Sequence, residues 1–310
     1  MTALEAVATY LPDQRVPIEK LLGALELPPM QVKLFKRFHG FVEVPMDPTG
    51  TLLDLLLGAT AELEALRGRE HLVRYVLHAR SMPVVAPYPL NPLHELCRAL
   101  GLEHAIACTV THQACATGLL AIDVAGRLLA ADGDPDALVL IVAGEKAFTR
   151  DAQIVPGTSV FGEASAACLV RAGGTRDRLL AYASIIRGEF NGRLEELPDL
   201  AASYEQEYPI ALAEAILAAL ARAGTRIEDV SLLLPHNVNL VSWQRLGRQI
   251  GIPVDRILLD NVPVTGHAFC ADAFINYQTA ARRGLLRPGD RYVIAAAGLG
   301  ATFSAMVFEH

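Results

Sequence analysis

Cys115 stands in Thr111-His-Gln-Ala-Cys-Ala-Thr-Gly-Leu119, directly after an apolar run and at the head of a small-residue, helix-forming segment. Backbone N–H groups and the positive end of a helix dipole at such a junction favour a thiolate, the nucleophilic form of the side chain. Ala114, Ala116 and Gly118 leave room for a substrate to approach. Cys97, Cys108, Cys168 and Cys270 lack that setting and read as small hydrophobes. His236 follows Leu232-Leu-Leu-Pro235 and is flanked by Asn237 and Asn239, so a core strand delivers an imidazole into a polar turn. That placement suits a donor or an acid–base group, and equally a satisfied structural histidine.

The elements that position these residues follow from the alternation of short apolar runs with longer amphipathic segments, the pattern of a layered α/β protein. Strands are predicted at 5–10, 105–110, 137–143, 165–171, 179–187, 230–234, 292–297 and 302–308, and helices at 51–66, 92–100, 116–130, 208–222, 240–250 and 269–283. Two glycines among charges in 171–178 mark a link between halves, residues 1–172 and 173–310. The halves echo each other. Cys115 opens a segment that passes through Gly133-Asp134 into Leu138-Val-Leu-Ile-Val-Ala-Gly144, and His267 opens one that passes through Gly289-Asp290 into Tyr292-Val-Ile-Ala-Ala-Ala-Gly298. On this reading Cys115 and His267 begin equivalent junctions and face each other near a pseudo-twofold axis. Chance likeness of Ala/Gly-rich segments is the alternative.

Composition narrows the class. A hydrophobic fraction of 52% with 20% charged residues describes a folded chain. A net charge of −7 argues against a general nucleic-acid binder. No apolar run is read as a membrane span and no signal peptide is seen, and an odd number of cysteines without a CxxC pair fits a reduced, cytoplasmic protein. There is no GxGxxG after the first strand, no GxxxxGK[ST] loop and no closed zinc spacing, so no nucleotide, metal or other cofactor is expected.

Cys115 in Ala-Cys-Ala-Thr-Gly, Pro235-His-Asn-Val-Asn239 and Asn261-Val-Pro-Val-Thr-Gly-His-Ala268 together resemble the thiolase-fold ketoacyl-ACP synthase III group. Tyr10-Leu-Pro12, Phe161-Gly-Glu-Ala164 and Gly298-Leu-Gly-Ala-Thr302 fit the same group in the same order, so the resemblance runs along the whole chain. It implies two pseudo-twofold related halves layered α-β-α-β-α, a homodimer, and an acyl intermediate on Cys115. It also implies an oxyanion hole from the backbone N–H groups of Cys115 and Gly300.

One departure from the group changes the expected chemistry. A decarboxylating synthase of the group partners its cysteine with His and Asn, which hold a thioester carbonyl while an enolate develops. Here the Asn position is His267, a base where a neutral donor is wanted, and Asp272 lies five residues on. That carboxylate is placed to orient His267 through Nδ1–H, although a helix N-terminal acid has a plainer reading as a dipole partner. A Cys–His–Asp set suits acyl transfer to a hydroxyl, amine or thiol, as in the acyltransferase members of secondary-metabolite pathways, polyketide and antibiotic pathways among them. Which of His236 and His267 is the principal base stays open.

The donor is expected to be an acyl carrier protein rather than coenzyme A, because 30–40 lacks the tryptophan that stacks on adenine in coenzyme A users. Arg245 and Arg248, three apart on one helix face, are the candidates to meet an acidic carrier protein. Two other readings remain: decarboxylative starter-unit condensation, and a non-catalytic thiolase-fold partner subunit, against which Cys115 counts. Pocket size is expected to depend on 83–91 and 188–207.

Overall fold

A computed structural model of the chain describes residues 1–191 and 197–310. Its first strand, β1 (Thr2–Tyr10), pairs antiparallel with β9 (Ser165–Ala172), which pairs antiparallel with β6 (Leu138–Gly144). Beyond β6 lie β4 (Val73–Ala79) and the edge strand β5 (Ile106–Val110), each pairing parallel with its neighbour. The second half repeats this pattern. β10 (Arg178–Ile186), β13 (Thr302–Glu309), β12 (Arg291–Gly298) and β11 (Val230–Pro235) join in that order, antiparallel, antiparallel and parallel. A parallel bridge from Leu233 to Ile257 takes the place of the fifth strand. β1 and β10 meet at one register pair, Ala3 with Arg178, where the two sheets join.

Strands covered on both faces are apolar at every position, and the period of two decides which layer each residue joins. In β6, Val139 and Ile141 point to a core shared with α5 (Thr117–Asp132) and α9 (Asp272–Arg282) between the sheets. Leu138, Leu140 and Val142 point to the outer helices α3 (Leu52–Ala61) and α4 (Pro92–Ala99). β12 divides in the same way: Tyr292, Ile294 and Ala296 face the central helices. Val293, Ala295 and Ala297 face α6 (Pro198–Arg222) and α7 (Leu240–Ile250). The order of layers is α-β-α-β-α, as expected.

A smaller cap covers one end. The ribbon β2 (Arg15–Pro17) with β3 (Glu43–Pro45) brackets helices α1 (Ile18–Ala24) and α2 (Pro29–Arg37). These pack with the hairpin β7 (Ile154–Val155) and β8 (Ser159–Val160) and the short helix α8 (Val262–Thr265) around Phe35, Phe41 and Val262.

Three expectations need correction. The run Ala114–Asp132 is, by length and composition, long and apolar enough to cross a membrane; in the fold it lies in the helix layer between the sheets. Cys108 is exposed on edge strand β5 rather than buried. β4 was not predicted because Arg74 and His78 interrupt its apolar pattern. His78 is buried beside the Gly144 carbonyl, and burial lowers its pKa to about 4, so it stays neutral inside the sheet.

Candidate active site

Cys115 sits in the 3-10 turn Ala114–Ala116 that leads into α5, and the turn is closed by Ala114 at φ +44°. The second half builds the same turn at Phe269–Ala271 before α9, with Phe269 at φ +53°. Each turn has the same side-chain cap: the Gln113 N–H donates to Thr117 Oγ1 at 3.3 Å, and the Ala268 N–H to Asp272 Oδ1 at 2.8 Å. The structural counterpart of Cys115 is therefore Cys270. The sequence echo that set Cys115 against His267 is displaced by three residues, because composition alone does not mark the turn.

His267 is held by backbone on both sides: its N–H donates to the Val160 carbonyl at 2.8 Å, and its carbonyl accepts from the Gly162 N–H at 3.1 Å. Its ring stacks on Phe161 with centroids 4.9 Å apart. Its Nδ1 lies 2.5 Å from Asp272 Oδ2, and Cys115 is the other group that acts on its charge. Asp272 is 1% exposed, yet its charge is spread over further donors, the backbone and side-chain N–H groups of Asn237 at 2.6 and 3.3 Å. Burial works against a charge on His267, but the negative charges of Cys115 and Asp272 and their hydrogen bonds outweigh it and raise its pKa to about 10. Its surroundings therefore favour the protonated ring of His267.

His236 behaves in the opposite way. Burial first, and then the charge on His267, push its pKa well below the usual histidine value, so it is neutral. The two rings lie 5.4 Å apart, centroid to centroid. Its Nε2 is 3.1 Å from the hydroxyl of Tyr208 on α6 rather than directed at Asp272.

Cys115, His236 and His267 line one cavity of about 460 Å³ together with Tyr204 and Tyr208. Phe38, His39 and Arg245 are among its other lining residues, and Arg245 is exposed. Arg248, also exposed, does not line the cavity. Leu299, next to Gly300, does line it, and a Cβ at Gly298 would fall 2.0 Å from the Gln113 carbonyl oxygen. The 298–300 turn is thus packed directly on the segment that carries Cys115. Of the stretches expected to shape the pocket, 83–91 contributes no lining residue, whereas 188–207 contributes Tyr204 and Glu205. Residues 192–196 of that second stretch lie outside the described residues.

Several neighbours were not foreseen. The Ser81 hydroxyl is 3.4 Å from Cys115 Sγ and 3.5 Å from Cys270 Sγ, so Cys270 adjoins the site instead of filling a remote core. The Ser81 loop is anchored by Glu145, whose carboxylate accepts from the Ser81 and Met82 N–H groups at 2.5 and 2.8 Å. The pattern predicts this helix only from 208, with Pro209 in the first turn, where proline is tolerated, so Tyr204 falls outside it and Tyr208 reads as a helix end. The helix begins at Pro198 and runs through Pro209. Their i, i+4 spacing was the available signal.

Residues 220–310 match the family model for the 3-oxoacyl-[acyl-carrier-protein] synthase III C terminal. The chain is 26% identical over 289 residues to the beta-ketoacyl-[acyl-carrier-protein] synthase III of Oleidesulfovibrio alaskensis, covering 82% of this chain and 83% of that protein. It is 34% identical over 90 residues to the synthase of that name from Nitratidesulfovibrio vulgaris, a match spanning 29% of this chain and only 27% of that relative. Among solved structures, the 3-oxoacyl-[acyl-carrier-protein] synthase III of Aquifex aeolicus superposes with a TM-score of 0.85 at 19% identity, each chain covered fully. The acyltransferase ChlB3 superposes with a TM-score of 0.84 at 20% identity over 99% of this chain and 97% of the other.

Proposed function

We propose that the chain is a ketoacyl-ACP synthase III-like, thiolase-fold protein, similar to the relatives above, and within that family an acyltransferase that moves an acyl group through Cys115 to a hydroxyl, amine or thiol acceptor. The observation that carries this reading is Nδ1 of His267 2.5 Å from the buried Asp272 carboxylate, in the cavity that Cys115 also lines. A buried imidazole oriented by a buried carboxylate is a proton carrier, and acyl transfer to an oxygen needs one.

The Cys115 thiolate attacks the thioester carbonyl, and the oxyanion is stabilised by the backbone N–H groups of Cys115 and Gly300. Collapse forms acyl-Cys115, and the leaving sulfur departs as a thiol with the proton of His267. Acylation removes the negative charge that held that proton, so His267 is left neutral as the acceptor enters. His267 takes the acceptor proton, the acceptor attacks the acyl carbon, and the thiolate returns. Asp272 stays ionised throughout and fixes the ring.

Arg245, lining the cavity, and Arg248, one turn along α7, are taken as the docking points for an acidic acyl carrier protein, the favoured donor over coenzyme A. The edge strand β5, with Ile106 64% exposed, favours a homodimer. A cytoplasmic place in secondary-metabolite biosynthesis, of the polyketide or antibiotic kind, completes the proposal. Decarboxylative condensation is the second reading, on the names that the relatives carry.

The test is intact mass after exposure to a panel of acyl carrier thioesters. An adduct on the wild type that is absent from Cys115→Ala supports the acyl-enzyme, while no adduct with any donor returns the chain to a non-catalytic partner subunit. Carbon dioxide released from a malonyl carrier protein with a β-ketoacyl product would replace transfer by condensation.

A further inference from the structure

His236 is fixed on every side. Its N–H donates to the Ala295 carbonyl at 3.0 Å, its own carbonyl accepts from Trp243 Nε1 at 2.7 Å, and its ring meets the Trp243 ring edge-on at 5.4 Å. Nδ1 is buried and has no hydrogen-bond partner among the described residues. A proton there would leave a buried N–H unsatisfied, which folded proteins tolerate less readily than an unused acceptor lone pair. The ring proton of neutral His236 therefore belongs on Nε2, where it donates to Tyr208 Oη at 3.1 Å. With its oxygen accepting, the Tyr208 hydroxyl has its own hydrogen to give, and it forms no other bond among the described residues. Tyr208 lines the cavity shared with Cys115 and His267.

We infer that Tyr208 presents the hydrogen-bond donor that holds the acceptor's attacking atom beside acyl-Cys115, that His236 is its positioning residue, and that the arrangement selects an alcohol. This rests on the acyl-transfer reading and narrows its acceptor class. An alcohol oxygen has two lone pairs. One accepts from Tyr208, the other attacks the acyl carbon, and the O–H faces His267, which takes the proton. An amine nitrogen has one lone pair, and a bond from Tyr208 would occupy the pair that must attack. The same contact keeps Nε2 of His236 engaged and so removes it as a direct donor to a substrate carbonyl.

Two measurements test the inference. In protein labelled with ¹⁵N-histidine, long-range ¹H–¹⁵N spectra should show His236 as the Nε2–H tautomer, and the Nδ1–H tautomer would overturn the assignment. Discharge of butyryl-Cys115, loaded from the butyryl N-acetylcysteamine thioester, is then followed by mass with benzyl alcohol and with benzylamine. Tyr208→Phe should slow discharge to the alcohol by 10- to 100-fold and discharge to the amine by less than threefold. Equal loss with both acceptors, or no loss with either, refutes a donor role. If the wild type takes up no butyryl group from this or any other thioester, the acyl-transfer reading fails by itself, and the His236 tautomer decides whether Tyr208 is left with a free donor.

Discussion

Replacing Cys115 with alanine deletes the negative neighbour of His267 and leaves burial opposed by Asp272 alone. Two unit charges in hydrogen-bond contact, about 3.5 Å apart, attract by about 5 kcal/mol at an effective dielectric constant of about 20. At roughly 1.4 kcal/mol per pH unit, that is about three units. His267, raised to about 10 in the native protein, should then titrate near neutrality in Cys115→Ala. The sign follows from charge. A cation that loses an anionic neighbour gives up its proton more easily, and burial pushes the same way. Histidine-ring NMR across pH 5 to 10.5 reads this directly. His236 serves as the contrast, since burial and the charge on His267 push its pKa down where that of His267 is raised. Acylated wild type should match Cys115→Ala, because acylation removes the same charge. If His267 stayed protonated up to about pH 10 in both, Asp272 alone would set its charge, and acylation would not release the base. If the wild-type ring titrated like an exposed histidine, the thiolate–imidazolium pair itself would be refuted.

Asp272→Asn should slow discharge of acyl-Cys115 by about 10²- to 10⁴-fold, because His267 loses its orienting anion. The new amide also faces donors with a donor, so urea unfolding should show a loss of about 1–3 kcal/mol. Burial raises the pKa of Glu145 to about 7 against the bonds from Ser81 and Met82 and the charge of Arg80. The folded chain thus binds this proton more tightly than the unfolded chain, and the stability it confers is lost as pH rises from about 4.5 through about 7. Glu145→Gln should therefore gain about 3 kcal/mol relative to wild type between pH 4 and 8, and a pH-independent difference in urea unfolding would refute this. Gly298→Ala drives a Cβ to 2.0 Å from the Gln113 carbonyl. It should cost about 1–3 kcal/mol in stability and slow acyl-Cys115 formation by at least tenfold in a stopped mass assay.

What was legible in the chain was whatever local pattern dictates. Leu138-Val-Leu-Ile-Val142 and the 292–297 run read as strands because a strand covered on both faces must be apolar throughout. β4 did not, since one of its side chains is a histidine kept neutral by burial, a tertiary effect. Cys115 was visible as a thiol at a helix start, and the Asp272 carboxylate is as close to His267 as expected. The division of labour between the two histidines was not legible. It depends on α6, whose Tyr208 occupies His236, and on the charge of Cys115, which raises His267; both arrive from distant parts of the chain.

The two halves explain why the contact between His267 and Asp272 lies where it does. Both use a turn with a left-handed residue before the cysteine, and both close it with a side chain two residues after the cysteine that accepts from the backbone N–H four residues earlier. In the first half the closing side chain is Thr117, which has one oxygen and caps the turn only. In the second half it is Asp272, and a carboxylate has two. Oδ1 takes the backbone N–H of Ala268, and Oδ2 takes the backbone N–H of Asn237 and meets Nδ1 of His267 as well. His267 precedes Cys270 by the same three residues that separate the exposed His112 from Cys115. One structural cap thus also meets the ring of His267. Asp272→Thr separates the two duties: it should keep the cap, lose about 1–3 kcal/mol because the buried Asn237 N–H groups lose their acceptor, and lose discharge of acyl-Cys115 as fully as Asp272→Asn. Discharge at wild-type rate in Asp272→Thr would mean that the carboxylate serves the turn alone.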